Sequence, residues 1–375
     1  MRILQINNLY NGAGAENVMK SIALGLSTKH KFFFITHQNV AVKNHHKVLS
    51  IPNIIFNLFK NTKKNNFTFS DNIVSKKIAS NIRKFYPLVD WYIAYKLKKI
   101  IKKIRPDVIH CHNVISFTMA QYIVANSMKI PIITTFHGYW PISPNTILLN
   151  YDAFDICSDN NWDNWHHYCA HPLLNPKNQM ENLRTILSGS SKLIPVSNFV
   201  KERLIDYNYP KNKIKVVHNG VDTNIFKPLK KKIKKQVIHI GRISKLKGSH
   251  IVINVAKKFR KIDSGVKFIF IGSEKPDNIN IPKNCKFISW LDPKSLPKFY
   301  NSSIALIAPS IWSEPHSLVI LEAMSCGCPP IVTNVGGNSE SVVDGKTGYL
   351  IDIHKNLEKQ IIENLSKLSN NSSLR

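Results

Sequence analysis

Cationic side chains lie in the turn that joins a predicted strand to a predicted helix, and two of them are candidates for chemistry. Residues 237–240 form an apolar strand, and the turn at residues 241–248 carries Arg242 and Lys247. A phosphate that departs as a bond breaks gains negative charge, which fixed cations or a metal ion must stabilise. The turn therefore predicts a site for a phosphate-linked substrate. For Lys247 the alternative is that it is simply one of many surface lysines.

Two carboxylates flank the apolar run that follows. Glu314 is predicted in the loop before a helix, and Glu322 is predicted inside that helix. A carboxylate can accept two hydrogen bonds from a vicinal diol, so the pair favours a polyol substrate. Backbone amides at the helix start would add anion binding. These amides belong to His316, Ser317 and Leu318. The alternative for Glu322 is an exposed helix residue.

The first half of the chain carries two further candidate residues. Gly14 lies in the glycine-rich segment 11–16, which precedes a predicted helix, so its backbone can approach an anion closely. His137 ends the predicted strand that begins near Thr134. The alternative for His137 is a structural histidine with satisfied hydrogen bonds.

Taken in order, these motifs resemble those of the retaining nucleotide-sugar glycosyltransferases of family 4. The resemblance runs from the first strand to about Ile351 and is most specific over residues 236–350. The matching residues are Gly14-Ala15-Glu16, His137-Gly138, Arg242 with Lys247, and Glu314 with Glu322. The resemblance implies the GT-B fold, an α/β architecture of two Rossmann-like, doubly wound domains facing a cleft. It places the donor on the second domain and the acceptor on the first.

The resemblance also implies roles for the candidate residues. It makes His137, Glu314, Arg242 and Lys247 the catalytic set, with His137 near the transferred sugar. Glu314 would bind that sugar. Donor binding would further involve residues from both halves of the chain, namely Gly14, His316, Ser317, Leu318 and Glu322, the last on the ribose. The mechanism usually proposed for such enzymes is front-face transfer, in which the leaving phosphate helps to deprotonate the acceptor.

We expect no metal and no cofactor, because no Asp-x-Asp pair, the usual carboxylate metal clamp of the other large glycosyltransferase fold, occurs in the chain. Residues 139–175 combine aromatic residues with Cys157, Cys169 and three histidines. Zinc binding, a disulfide and an aromatic loop on the acceptor side all remain open for this segment.

Strand and helix patterns alternate along the chain, with a lysine-rich segment at 230–235 between two such series. This predicts a domain of residues 1–228 and a second of residues 229–375, with ligands at the carboxyl ends of the strands. Residues 53–81 are rich in Asn and Lys, and we expect a long mobile segment there. Members of the family continue beyond the helix predicted at 357–368, so we also expect a shortened C-terminal end.

The charge balance is strongly basic. The chain has 52 Lys and Arg against 23 Asp and Glu, a net charge of +29, which favours polyanionic surfaces. Residues 1–130 alone hold 20 basic and 4 acidic residues. Within them, Ile93, Leu97 and Ile101 repeat at helical spacing among lysines, which predicts a basic amphipathic helix. Such a helix packs on the core with a solvated face, or its lysines also contact anionic lipid headgroups; both can hold.

No run of about 18 apolar residues occurs, and the apolar start at residues 1–6 is too short for a signal peptide. The 6 cysteines are scattered, unlike a secreted disulfide framework. We therefore expect a cytoplasmic protein, peripheral on the inner face of the cell membrane.

The sequence thus predicts transfer of a sugar from a nucleoside-diphosphate sugar to a glycan or lipid-linked acceptor in envelope or surface polysaccharide synthesis, without a nucleic-acid partner. Two alternatives stay open. A nucleotide-sugar epimerase on the same fold would act on the donor alone and would need a catalytic acid pair. A non-catalytic protein that binds anionic surfaces would explain the charge but not the set of Arg242, Lys247, Glu314 and Glu322.

Overall fold

The structure is a computed structural model and divides into two compact units. The first unit is Met1–Val196 with Val200–Val217, and the second is Ser197–Phe199 with His218–Arg375. The contacts thus group residues 218–228, which the sequence prediction assigned to the first domain, with the second unit. The described residues are 1–12, 14–36, 47–50, 91–114, 119–143, 148–150, 155–156, 176–229, 234–272, 274–276 and 280–371. The segment predicted at 53–81, and Cys157 and Cys169 with their neighbouring histidines, lie outside these residues.

The first unit is built on a parallel sheet. Its strands are β1 (Arg2–Ile6), β2 (Lys31–Thr36), β3 (Lys47–Ser50), β4 (Val108–Cys111), β5 (Ile132–Phe136) and β8 (Lys192–Pro195), in the order β3-β2-β1-β4-β5-β8. A separate antiparallel pair consists of β6 (Leu149–Asn150) and β7 (Asp155–Ile156). The helices are α1 (Gly14–Leu26), α2 (Trp91–Ile104), α3 (Ala120–Ser127), α4 (Pro176–Ser188) and α5 (Asn198–Asp206), followed by a 3-10 turn at Lys211–Lys213. The first two residues of α5 are grouped with the second unit.

Apolar strands and amphipathic helices explain this unit. Strand β2 is buried over five consecutive positions, as expected for a parallel strand that is covered on both faces. Helix α2 buries Ile93, Leu97 and Ile101 and leaves its lysines exposed. The predicted basic amphipathic helix is therefore confirmed.

The second unit repeats the same architecture. Its parallel strands are β9 (Gln236–Ile240), β10 (Lys267–Ile271), β11 (Cys285–Ile288), β12 (Ala305–Ala308), β13 (Pro330–Thr333) and β14 (Tyr349–Ile351), in the order β11-β10-β9-β12-β13-β14. Its helices are α6 (Ser249–Phe259), α7 (Pro297–Tyr300), α8 (Leu318–Ser325) and α9 (Leu357–Asn370), with 3-10 turns at Pro293–Ser295 and Gly336–Glu340. The turn at Pro293–Ser295 and helix α7 do not form one continuous helix, because Pro297 has no N–H with which to continue the turn.

Alternation along the strands produces two cores, one on each face of this second sheet. Val237 packs into the cluster beneath α6 and α9, whereas its neighbour Ile238 packs into the cluster beneath α8. Successive side chains of a strand point to opposite faces, so two adjacent apolar residues of β9 supply one cluster each.

Both sheets reverse their strand order next to their first strand. The reversal lies between β1 and β4 in the first unit and between β9 and β12 in the second. Ligands of doubly wound sheets bind at the carboxyl ends of the strands at such a point. The predicted α/β class with two doubly wound domains is confirmed. Among the described helices, none has the length and apolarity needed to cross a membrane.

Candidate functional site

The centre of the site in the second unit is the carboxylate of Glu314, in the loop after β12. Its Oε1 atom accepts hydrogen bonds from Lys247 Nζ at 2.6 Å, Ser310 Oγ at 2.6 Å and Trp312 Nε1 at 2.8 Å. Glu314 is 5% exposed, and Lys247 Nζ also lies 5.4 Å from the centre of the Trp312 ring. Charge-assisted bonds to a buried carboxylate are strong and fix its position. All three of these donors bond to Oε1, and among the described residues none of the three bonds to Oε2 of Glu314.

The loop after β9 is held tightly against the loop after β12. Gly248 has φ +66, and a Cβ atom there would lie 2.0 Å from the carbonyl oxygen of Pro309. The backbone N–H of Ile311 donates to the carbonyl of Leu246 at 2.9 Å. Only glycine combines this left-handed conformation with this close approach. The contact brings Lys247 to Glu314.

A buried histidine fixes the start of helix α6. Burial lowers the pKa of His239 to about 4, so its ring is neutral at pH 7. Nδ1 then donates to the carbonyl of Ile307 at 2.8 Å, and Nε2 accepts the hydroxyl of Ser249 at 2.9 Å. Ser249 Oγ in turn accepts the N–H of Ser244 at 3.3 Å. Arg242 is exposed on the loop that this chain of bonds holds.

Two glycines after β13 pack against the backbone of Glu314 and Pro315. Gly337 N–H donates to the carbonyl of Glu314 at 2.7 Å. Gly336 has φ +58, and a Cβ atom there would lie 2.2 Å from that same carbonyl oxygen. A Cβ atom on Gly337 would lie 2.2 Å from the carbonyl oxygen of Pro315. Three loops, from the carboxyl ends of β9, β12 and β13, therefore converge on Glu314.

Glu322 is buried within helix α8, with 6% of its surface exposed, so it is not an exposed helix residue. Burial raises its pKa to about 7, against a smaller opposing effect of the hydrogen bond that Tyr300 donates to Oε2 at 2.8 Å. The carboxyl group therefore changes its charge near neutral pH.

The start of α8 contains the remaining predicted residues. His316 is buried, and burial lowers its pKa to about 4. Its Nε2 lies 3.1 Å from Ser341 Oγ, and its carbonyl accepts from Asn219 Nδ2 at 3.0 Å. Ser317 is the N-cap residue and Leu318 the first residue of the helix, both half-buried. A neutral His316 adds no positive charge to the site.

In the first unit, three histidines cluster at the ends of β4 and β5. His112 Nδ1 lies 2.9 Å from His137 Nε2, and the rings of His110 and His112 are 4.1 Å apart. His110 Nε2 lies 2.7 Å from Thr135 Oγ1. Burial lowers the pKa of His110 to about 4 and that of His137 to about 3. Burial, together with the two neighbouring histidines, lowers the pKa of His112 well below its usual range. All three rings are thus neutral, and His137 is half-buried at the edge of the cluster.

The glycine-rich loop after β1 is held by Glu16. Glu16 is 9% exposed, and its Oε1 accepts from Asn7 Nδ2 at 3.2 Å. A Cβ atom on Gly12 would lie 2.6 Å from the Glu16 carboxyl group, whereas one on Gly14 would meet nothing within 4 Å. A side chain at position 12 would therefore displace the Glu16 carboxyl group, and the binding role of Gly14 stays a prediction.

The structure brings Lys247 and Glu314 into contact and places Arg242 on the same loop as Lys247. The sequence prediction missed the partners that hold the acids and the histidine cluster, namely Ser310, Trp312, Tyr300, His110 and His112. His110 and His112 had a recognisable signal, because two histidines two positions apart at a strand end face the same side. Tyr300 had none.

Residues 12–225 match the family "Glycosyltransferase Family 4". The chain belongs to glycosyltransferase family 4. Residues 221–375 of this family 4 member match "Glycosyl transferases group 1".

Individual relatives are distant. The uncharacterized glycosyltransferase MJ1178 of Methanocaldococcus jannaschii is 28% identical over 320 residues, which cover 82% of this chain and 79% of the relative. Spore coat protein SA of Bacillus subtilis is 28% identical over 50% of this chain, and the match spans 58% of its length. The D-inositol 3-phosphate glycosyltransferase of Paenarthrobacter aurescens is 28% identical over 48% of this chain and 49% of its own. With most of these curated relatives, the chain thus aligns over about half of their length.

Solved structures share the fold of this family 4 member. Anabaena HepE in complex with UDP-glucose matches with a TM-score of 0.69 at 17% identity, covering 100% of this chain and 91% of HepE. TarM matches with a TM-score of 0.69 at 14% identity, covering 100% of this chain and 92% of TarM. These structures are GT-B glycosyltransferases, and the predicted GT-B fold is confirmed.

Proposed function

We propose that this family 4 member transfers a hexose-type unit from a nucleoside-diphosphate sugar to a glycan or lipid-linked acceptor. The observation that carries the proposal is the contact between Lys247 and Glu314, 2.6 Å apart at the carboxyl ends of β9 and β12. A cation for the leaving phosphate and a carboxylate for sugar hydroxyls stand side by side there. HepE, which shares the fold, is described in complex with UDP-glucose.

Each site residue has a distinct part in this proposal. Arg242 and Lys247 stabilise the charge that develops on the departing diphosphate. Glu314 is already oriented through Oε1, so its Oε2 can accept a hydroxyl of the transferred sugar. Glu322 binds the ribose diol in its ionised form. His137, a neutral half-buried ring, lies near the transferred sugar, and the Gly14 segment and the amides of residues 316–318 bind the diphosphate.

We further propose that transfer retains the anomeric configuration and needs no metal ion. Arg242 and Lys247 supply the charge that a metal would otherwise supply, and the chain has no Asp-x-Asp pair. With retention, the leaving phosphate takes the proton of the acceptor hydroxyl on the same face of the sugar ring. No separate base is then required.

The proposed place of the reaction is the inner face of the cell membrane, in envelope or surface polysaccharide synthesis. Helix α2 supports this, because its apolar face is buried while Lys96, Lys99 and Lys103 are exposed. Trp91 and Tyr95 are 72% and 54% exposed on the same helix. Exposed aromatic rings beside lysines are typical of segments that lie on anionic membranes.

Calorimetric titration with UDP, GDP, ADP and their hexose conjugates in EDTA tests donor binding. We expect one nucleotide to bind. Arg242→Ala and Glu314→Gln should each weaken binding of its sugar conjugate at least about tenfold. Lys245→Ala removes a charge from the same loop and should change the affinity little. An absence of binding by every nucleotide would refute the transferase proposal. Binding only after Mg²⁺ is added would refute its metal-free form.

NMR spectroscopy of the bound donor separates the reaction types. Slow hydrolysis that releases the sugar first in the anomeric form of the donor supports retention. Release of the opposite anomer contradicts it. Conversion of the donor to its epimer without any release identifies the alternative epimerase reaction.

A further inference from the structure

A pocket of about 420 Å³ opens in the first unit, where helices α2 and α3 both end. Its volume lies within the range of pockets that bind small molecules. Its walls combine four apolar residues with two cations. The lining residues are Ile101, Lys102, Arg105, Pro106, Met128 and Ile130. An apolar floor with a cationic rim fits a ligand that is itself part apolar and part anionic.

The two cations are available to a ligand. Lys102 and Arg105 are exposed, and among the described residues no carboxylate pairs with either of them. Each helix end contributes about half a negative charge, so the two full positive charges leave the rim positive. The helix dipole alone would favour cations here, but it does not explain the apolar walls.

Arg105 is held at the rim by an unusual backbone. Its φ is 50, in the left-handed region, and its N–H donates to the carbonyl of Ile101 at 2.7 Å as α2 ends. Helices commonly end this way, but glycine or asparagine normally occupies the position. A cationic side chain in this conformation is therefore a feature to explain, and such outliers cluster at ligand sites.

One row of side chains along α2 leads to the pocket. Trp91, Tyr95, Lys98 and Lys102 are spaced by four, three and four positions, so they lie on a single line of the exposed helix surface. Tryptophan and tyrosine favour the level of lipid headgroups. A helix that rests on a membrane by this row places the mouth of the pocket at the same level.

We propose that the pocket binds a single anionic lipid from the bilayer. The phosphate lies between Lys102 and Arg105, and the first methylene groups of the acyl chains pack against the half-buried side chains of Met128 and Ile130. The proposal rests on the membrane association proposed above and is independent of the transfer reaction. A charged surface alone attracts the first unit to a membrane in many orientations, whereas a defined lipid site fixes one orientation.

The test uses the full chain and a soluble probe, a short-chain phosphatidylglycerol kept below its micelle concentration. Wild type is expected to bind it saturably with one site, and inorganic phosphate to bind at least about tenfold more weakly because it lacks the apolar part. The double variant Lys102→Gln with Arg105→Gln should weaken lipid binding at least about tenfold, since both contacts to the phosphate are lost. Glutamine is as disfavoured as arginine at φ 50, so the backbone cost is matched.

The control pair is Lys96→Gln with Lys103→Gln, which removes the same charge from exposed positions outside the pocket. It should weaken the soluble lipid by less than about threefold, as expected for screened charges. Met128→Trp, which keeps every charge and fills the pocket, should abolish binding of the soluble lipid. Equal losses in the two charge pairs, or inorganic phosphate binding as tightly as the lipid, would overturn the proposal.

Sedimentation with phosphatidylcholine vesicles, with and without phosphatidylglycerol, separates this site from the membrane association on which it rests. The pocket is supported if the double variant at Lys102 and Arg105 binds anionic vesicles more weakly than the control double variant does. Binding that both pairs weaken equally overturns the pocket and leaves the association in place. No binding of wild type to anionic vesicles overturns both, whatever the donor titrations show.

Discussion

Replacing Glu322 by glutamine is expected to stabilise the second unit and to weaken nucleotide binding at the same time. Glu322 is 6% exposed, and burial raises its pKa from 4.5 to about 7. The folded state therefore holds this proton more tightly than the unfolded state does. As the pH rises from 4.5 to 7, the free energy of unfolding falls, and above pH 7 the whole cost of the buried charge is present.

The size of the effect follows from the shift in the pKa. Each unit corresponds to about 1.4 kcal/mol, so a shift from 4.5 to about 7 costs the wild type about 3 kcal/mol above pH 7. Glutamine is neutral at every pH, and its side-chain oxygen can still accept the hydroxyl of Tyr300. The variant should match wild type near pH 4.5 and exceed its free energy of unfolding by about 3 kcal/mol near pH 8.

The measurement is urea unfolding of wild type and Glu322→Gln from about pH 5 to about pH 8. The difference between the two proteins isolates Glu322, since burial raises the pKa of neighbouring Cys326 to about 11 and that of Tyr300 well above 10. If Glu322 binds the ribose as proposed, nucleotide titrations over the same range should show wild-type affinity falling about tenfold per pH unit below pH 7, because the diol donates to the ionised carboxylate. A pH-independent stability difference would refute the reasoning.

Three further substitutions test how the site is held. Gly248→Ala should cost about 3 kcal/mol in urea unfolding, because a Cβ atom meets the Pro309 carbonyl and φ is +66; an unchanged midpoint would contradict this. Ser249→Ala should lower the free energy of unfolding by about 1–3 kcal/mol and weaken nucleotide binding, since it leaves His239 Nε2 unpaired. An unchanged calorimetric affinity would contradict the idea that the hydrogen bonds of Ser249 hold the Arg242 loop. Burial raises the pKa of Glu340, but the four hydrogen bonds that its carboxylate accepts lower it overall. Its stabilisation should therefore be present above the usual Glu pKa and be lost as the pH falls through the lowered value. Glu340→Gln should remove that dependence from thermal unfolding curves.

Much of the fold was predictable because its signals are local. Apolar runs such as the middle of β2 and the whole of β12 indicate strands covered on both faces, and their alternation with helices indicates parallel sheets. The period of Ile93, Leu97 and Ile101 located the buried face of α2. The division between the turn at 293–295 and α7 is harder to predict, because a single proline decides it.

The candidate site was only partly predictable. The types of Arg242, Lys247 and Glu314 indicate phosphate and polyol chemistry, and their places after strands put them at one edge of a sheet. Nothing in the sequence showed that one oxygen of Glu314 collects three donors, or that Tyr300 meets Glu322. Those contacts depend on how the loops pack after the strands have paired.

The sequence by itself determined the two doubly wound units, the family and the chemical character of the residues at the strand ends, because these depend on composition and on periods of a few residues. Only the tertiary structure decided that Lys247 and Glu314, 67 positions apart, lie 2.6 Å from each other, and that Glu322 is buried enough to titrate near neutral pH. The physical reason is that β9 and β12 become neighbours through long crossover connections. Their pairing is stabilised by the whole core rather than by any local pattern.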